Sequence, residues 1–157
     1  TTPTLCVLVI STGLCHLLLT PRGMWQTSFG LVFLLTCLID AFSQLWGKLL
    51  GSIKLCPTIS PGKTLEGLVL GLITVAVTAP FLHDLWPEAS VIALVTVGLA
   101  VGCAATAGDL AFSILKRRLG VKDFSSAIPG HGGILDRFDS LVFSAPTFYW
   151  MQRWFGN

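Results

Sequence analysis

Between Ser113 and Asp139 the chain reads SILKRRLGVKDFSSAIPGHGGILDRFD, which sets three acidic residues, five basic residues, one His and four Gly in 27 positions. Only 11% of the whole sequence is charged. A dense run of opposite charges and glycines in so apolar a chain suits the handling of polyanions and metal ions. At 3.6 residues per turn, Asp109, Ser113 and Lys116 share one helical face, with Arg117 nearby. An acid in an apolar segment is expensive unless it is paired or metal-bound. Two readings stay open for Asp109: a neutralising pair with Lys116 or Arg137, or a metal-ligating carboxylate with a cationic phosphate clamp one to two turns below it.

The second constellation is Pro129-Gly130-His131-Gly132-Gly133 followed by Asp136, Arg137 and Asp139. Glycines let backbone amides approach a ligand closely. Amides opening a helix favour phosphate. Asp136 and Asp139, three apart, share a face and suit Mg²⁺, a hard ion commonly held by one or two carboxylates plus substrate phosphates. The plainer alternative is that both acids cap a helix N-terminus. His131, between glycines in a cationic loop, is a phosphate donor or a structural residue. The third constellation lies in 40–67. Pro61-Gly62-Lys63-Thr64 resembles part of a phosphate loop, but Pro57 stands where that pattern needs Gly and no βαβ context follows, so we reject it. Ser60, Lys63 and Thr64 remain candidate phosphate ligands at a helix start. Glu66 reads equally well as a cap. Asp40, Gln44 and Lys48 form one polar stripe.

The elements that must position these residues are membrane helices. The chain is 53% hydrophobic with a mean hydropathy of +0.78, and its charge is less than half that of a soluble domain. Uncharged runs at 1–21, 23–39, 67–82 and 89–108 predict four spans, about 3–20, 24–42, 65–83 and 89–112. A fifth, about 134–155, begins among Asp136, Arg137 and Asp139, so its first turns must face protein or water; Pro146 should bend it. The fold class expected is all-α, a polytopic transmembrane bundle of about five spans forming one membrane domain over 1–157, with irregular loops at 51–64 and 119–133. The chain opens Thr-Thr without Met, and a portion of a longer protein is expected, with further spans before it. Five scattered Cys without a CxxC argue against a disulfide framework or a zinc site. Eight of ten Lys and Arg fall beside loops 43–64 and 113–133, which places both loops in the cytoplasm. Six of the eight acids share that side, which topology alone does not require. Asp84 and Glu88 lie in a short outer loop.

The segment Ser113–Asp139 resembles the signature of the phosphatidate cytidylyltransferases (CDP-diacylglycerol synthases). The matching elements are Ser113, Lys116-Arg117, Lys122-Asp123, Ser125, Ile128-Pro129, His131-Gly132-Gly133, Asp136-Arg137 and Asp139, in that order. A second match is Asp40, Gly47-Lys48 and Gly51, then Ser60-Pro61-Gly62-Lys63-Thr64-Leu65-Glu66-Gly67. The resemblance covers roughly 36–145. One departure stands between Asp40 and Gly47, where Phe42, Ser43 and Gln44 replace the small residues and aromatic that the family often shows.

The resemblance implies a membrane enzyme, the C-terminal portion of its fold, that joins CTP and phosphatidate to give CDP-diacylglycerol and pyrophosphate. It implies Mg²⁺ held by Asp109 and Asp136, with a second cation left open. Asp139 would assist from behind the ion's ligands. Lys116, Arg117, Lys122 and His131 would clamp phosphates with Ser113, Arg137 and the Gly132 and Gly133 amides. Ser60 and Lys63 would touch the lipid phosphate or the triphosphate. No nucleic acid is expected, and a homodimer is left open. Two alternatives remain: a CTP-dependent enzyme acting on another lipid phosphate or a polyprenol, and a transporter lined by Asp40 and Asp109. Only an enzyme needs the HGG-x-x-D-R-x-D run.

Overall fold

The computed structural model describes residues 25–121, 124 and 135–155. The expected span at 3–20 lies outside them. Four helices and one hairpin follow in chain order: α1 (Trp25–Leu50), β1 (Lys54–Cys56), β2 (Ser60–Thr64), α2 (Leu65–Thr78), α3 (Val91–Arg118) and α4 (Leu135–Phe155). A 3-10 segment, Ala79–Leu85, continues α2 past Pro80, whose ring and missing N–H end the α-helical ladder.

Three described stretches are long and apolar enough to cross a membrane: Ser28–Leu50, Leu65–Leu85 and Val91–Arg118. The sequence predicted four in the same region. α4 is a helix of 21 residues as expected, but it is not among those three stretches. α1 also runs eight residues beyond its expected end at 42. Packing extends it: the Trp46 indole N–H donates to Thr74 of α2 at 3.1 Å.

The outer surface is apolar, with Phe33, Ile73, Val77, Phe81, Ile92 and Trp154 exposed. Inside, the helices meet over small and branched residues. Leu31, Val32, Leu35 and Ile39 of α1 pack with Val75 of α2, with Val97, Val101 and Ala105 of α3, and with Leu141 of α4. Trp86, just after the 3-10 segment, meets Phe148 edge-on with centroids 6.3 Å apart. Buried polar groups pair across helices: the Thr36 and Ser144 hydroxyls at 2.9 Å, and Gln152 donating to Ser28 at 2.9 Å.

Close backbone contact needs residues without a Cβ. A Cβ on Gly67 would stand 2.9 Å from the Gly47 Cα, so α1 and α2 cross there almost backbone to backbone. A Cβ on Gly108 would lie 2.8 Å from the Asp139 carbonyl and 3.1 Å from Phe143, which brings α3 against α4.

The loop 51–64 is not irregular as expected. Its two strands pair antiparallel, Lys54 with Thr64 and Cys56 with Ser60, with an irregularity between. Pro57 falls in the turn, and Pro61 is tolerated because a two-stranded ribbon has open edges. Thr64 then caps α2, its hydroxyl accepting the Gly67 N–H at 3.1 Å.

Gly108→Ala should cost roughly 1–3 kcal/mol by overpacking the α3–α4 contact. Gly30→Ala, with nothing within 4 Å of the new Cβ, should not destabilise. Thermal unfolding in detergent compares the two.

Candidate functional site

The polar end of α3 is where the elements converge. Asp109 and Ser113 stand one turn apart, and the Ser113 hydroxyl donates to Asp109 Oδ1 at 3.3 Å. Lys116 lies on the same face a further turn down. α3 closes with Lys116, Arg117 and Arg118 in its last turn, where the helix dipole favours cations. Gly120, at φ +71°, then turns the chain. Its N–H donates to the Arg117 carbonyl and that of Val121 to Lys116, the paired bonds of a Schellman end.

Two salt bridges tie other elements to this helix. Lys63 Nζ of β2 reaches Asp109 Oδ2 at 2.5 Å, with the side chains 21% and 28% exposed. Lys116 Nζ reaches Asp139 Oδ2 of α4 at 3.5 Å, with the side chains 12% and 9% exposed. The Asp139 Oδ1 atom also accepts the Ser140 N–H at 2.8 Å. Asp40 of α1 faces the same cluster. The Ser140 side chain, Asp109, Lys63 and Asp139 lie within electrostatic reach of it. Three carboxylates and two lysines from four elements thus share one end of the bundle.

The hairpin completes the site. Arg117 Nε donates to the Ile59 carbonyl at 3.3 Å, so the hairpin turn rests on the end of α3. Lys116 also lies over the Phe124 ring, 5.5 Å from its centroid. A cleft of about 20 Å³, lined by Ser43, Gln44, Lys63, Thr64 and Thr106 among others, opens beside Lys63; that is room for about one water.

The expected site residues therefore fall into groups. Asp109, Ser113, Lys116, Lys63 and Asp139 come together. The cation that closes on Asp109 is Lys63, which the sequence placed among phosphate ligands rather than as a charge partner. Arg117 is exposed and engages the hairpin backbone. Ser60 begins β2 and is half-buried. Glu66 does not cap its own helix by its carboxylate alone; it accepts the Ser52 and Ile53 N–H groups at 3.0–3.1 Å. Asp136 and Arg137 belong to the first turn of α4, but their side chains lie outside the described residues, as do Lys122, His131, Gly132 and Gly133. Ser140 was missed, and Asp40 was seen as part of a polar stripe, of the second family match and of a transporter lining, but not as a member of this cluster. Its signal was present: a lone acid ending a long uncharged span.

The donor set is chemically suited to Mg²⁺. Asp109 offers a partly exposed carboxylate, with the Asp40 and Asp139 carboxylates beside it. Among the described residues no three acidic, His or Cys side chains converge to hold a metal by themselves. Mg²⁺ needs no such cage, because waters and substrate phosphates complete its shell.

Comparison with known proteins identifies the family. A model of the cytidylyltransferase family matches residues 1–155. The uncharacterized protein YnbB of Escherichia coli is 43% identical over 115 residues, 73% of this chain and 39% of that protein. A phosphatidate cytidylyltransferase of Rickettsia felis is 39% identical over 145 residues, 86% of this chain and 64% of that protein. One from Haemophilus influenzae is 41% identical over 122 residues, 74% of this chain and 42% of that protein. The chain thus spans less than two thirds of the length of these relatives.

The two ion pairs differ in burial, so their loss should differ in cost. Lys116→Met leaves Asp139 buried beside an apolar neighbour and should destabilise by about 3–5 kcal/mol. Lys63→Met leaves Asp109 with access to solvent and should cost about 1 kcal/mol or less. Thermal unfolding of the two variants in one detergent should rank them in that order.

Proposed function

The chain belongs to the cytidylyltransferase family, and we propose that it transfers the cytidylyl group of CTP to phosphatidate, giving CDP-diacylglycerol and pyrophosphate for phospholipid synthesis. The observation that carries this reading is the meeting of Lys63–Asp109 and Lys116–Asp139 at one end of membrane-crossing helices. Such a place lets a lipid phosphate stay at the bilayer surface while a soluble nucleotide arrives from water. The names of the Rickettsia felis and Haemophilus influenzae relatives supply the acceptor.

In this scheme a phosphate oxygen of phosphatidate attacks the α-phosphorus of CTP. The bond from that phosphorus to the bridging oxygen breaks, and pyrophosphate leaves with the electron pair. A phosphate nucleophile needs little help from a base at neutral pH, so positioning and charge neutralisation dominate. Lys63 and Lys116 stand ready to hold phosphate oxygens, with Arg117, Lys122, His131, Arg137 and the Gly132 and Gly133 amides added around them. Ser60 and Ser113 supply hydroxyl donors. Asp109 and Asp136 would hold Mg²⁺, whose positive charge offsets that of the phosphates. Asp139 keeps Lys116 in place and assists from behind.

We further read the fold as one membrane domain with five crossings, at about 3–20, 25–50, 65–83, 89–112 and 134–155, and with the hairpin at 51–64 and the segment 113–133 facing the cytoplasm. The hairpin turn resting on the end of α3 supports a common side for both loops. The bias of Lys and Arg supports the cytoplasm as that side. CTP, phosphatidate and the surrounding lipid are the partners this reading requires.

The test is direct. Purified protein in detergent, given radiolabelled CTP, Mg²⁺ and phosphatidate, should form CDP-lipid and release pyrophosphate only when the lipid is present. Chelation with EDTA should stop turnover and added Mg²⁺ restore it. Polyprenyl phosphate or an ether-lipid phosphate turning over faster than phosphatidate would reassign the acceptor. Asp136→Asn should lower CDP-lipid formation by about 100-fold or more while the protein still inserts; normal turnover would refute the metal role. Lys122→Ala should raise the KM for CTP about tenfold, the loss of one charge-assisted contact.

A further inference from the structure

A two-stranded ribbon is marginal by itself in water, yet this one must hold Lys63 within reach of Asp109. Its pairing is irregular between Lys54 and Cys56, and Pro61 brings no N–H donor. Its base is fastened from outside. One Glu66 carboxylate oxygen accepts the N–H groups of Ser52 and Ile53 at 3.1 and 3.0 Å, and the other accepts Ile53 at 3.1 Å. The Leu65 N–H returns to the Ile53 carbonyl at 2.9 Å. The chain entering β1 is thereby bound to the helix that leaves β2. An acid in the first turn of a helix ordinarily serves its own N-terminus, but Thr64 already caps α2. The Glu66 carboxylate, besides facing its own backbone N–H, reaches back across the hairpin.

We infer that Glu66 is a positioning residue for nucleotidyl transfer: by clamping the Ser52 and Ile53 amides it locks the hairpin so that Lys63 stays at Asp109. The inference rests on the function proposed above. Glu66 touches neither Asp109 nor Lys63; it acts through the ribbon. An ionised acceptor holds an amide about twice as strongly as a neutral one, so a carboxylate suits this clamp better than an amide side chain would.

The test is a double-variant cycle in the detergent-solubilised protein, read by hydrogen exchange and by kinetics with CTP and phosphatidate. Glu66→Ala should speed exchange of the Ser52 and Ile53 amides about tenfold or more. It should also raise KM for one of the two substrates about tenfold. Lys63→Ala should reproduce the kinetic defect while both amides stay protected. Glu66→Ala combined with Lys63→Ala should be no worse kinetically than Lys63→Ala alone, because Glu66 works through that lysine. Glu66→Gln, which keeps the side-chain length and one acceptor oxygen, should fall between wild type and Glu66→Ala in exchange, which separates loss of the clamp from misfolding. Unchanged amide exchange in Glu66→Ala, or kinetic defects that multiply in the double variant, would overturn the proposal. A wild-type protein inert toward CTP would sink the functional reading and the kinetic arm with it, whereas the exchange arm would still report on the clamp.

Discussion

A carboxylate inside a membrane bundle must find a positive charge, and this requirement organises the polar end of the fold. Asp109 sits two turns above the end of α3, in a helix that is otherwise uncharged down to its last turn. Removing an ion from water is costly, and only a close partner offsets that cost. Lys63 supplies it from β2 and Lys116 does the same for Asp139 of α4. Each pair therefore specifies the position of a different element against α3. The hairpin lies over its end, where Lys63 meets a carboxylate that water still reaches and Arg117 meets the hairpin turn, and the first turns of α4 lie along it because the buried Asp139 must be paired.

Charge pairing would fail if the helices could not approach. In lipid no hydrophobic drive presses helices together, so close contact rests on small residues. Gly108 and Asp109 are consecutive, and the coincidence has a physical consequence. The glycine lets α3 touch the backbone of α4 at Asp139, and the next residue delivers a carboxylate into the angle between them. Gly67 plays the same part for α1 and α2. That crossing sits directly after Thr64, so it sets the direction in which β2 leaves the bundle and how far Lys63 extends. Steric and electrostatic constraints act on adjacent residues.

Regular features were legible in sequence. The uncharged runs located α1, α2 and α3 because lipid exposure demands apolar side chains over a helix length. The helical spacing of Asp109, Ser113 and Lys116 placed them on one face, as the Ser113–Asp109 hydrogen bond shows. The hairpin was not legible: Pro57, Pro61 and the Ser and Thr residues around them suggest an irregular loop, and its order comes from outside contacts, through Glu66 and Arg117. The end of α1 was misread for the same reason. Ser43, Gln44 and Lys48 break the apolar run, but α2 packs against this extension and keeps it helical. The Lys63–Asp109 pair joins residues 46 positions apart by number, and local periodicity carries no information at that range. Ser140 escaped notice because a serine among helix residues has no distinguishing spacing; only the arrival of α1 brings Asp40 near it.

The formal charge of the described cluster bears on how a nucleotide would enter it. Asp40, Asp109 and Asp139 face Lys63 and Lys116, leaving one negative charge in excess. A triphosphate and a lipid phosphate are both anionic, so these five side chains by themselves would repel the proposed substrates at short range. The reaction accordingly requires further positive charge at the same place. The end of α3 carries Arg117 and Arg118, Lys122, His131 and Arg137 are the further candidates the sequence offers, and a divalent ion on Asp109 would reverse the local sign outright. Lys63 gains a second role from this arithmetic. Paired with Asp109 it steadies the hairpin, and once a cation neutralises that carboxylate its ammonium is available to phosphate oxygen. With a divalent ion bound there, the acids that oppose anion binding would become its anchor.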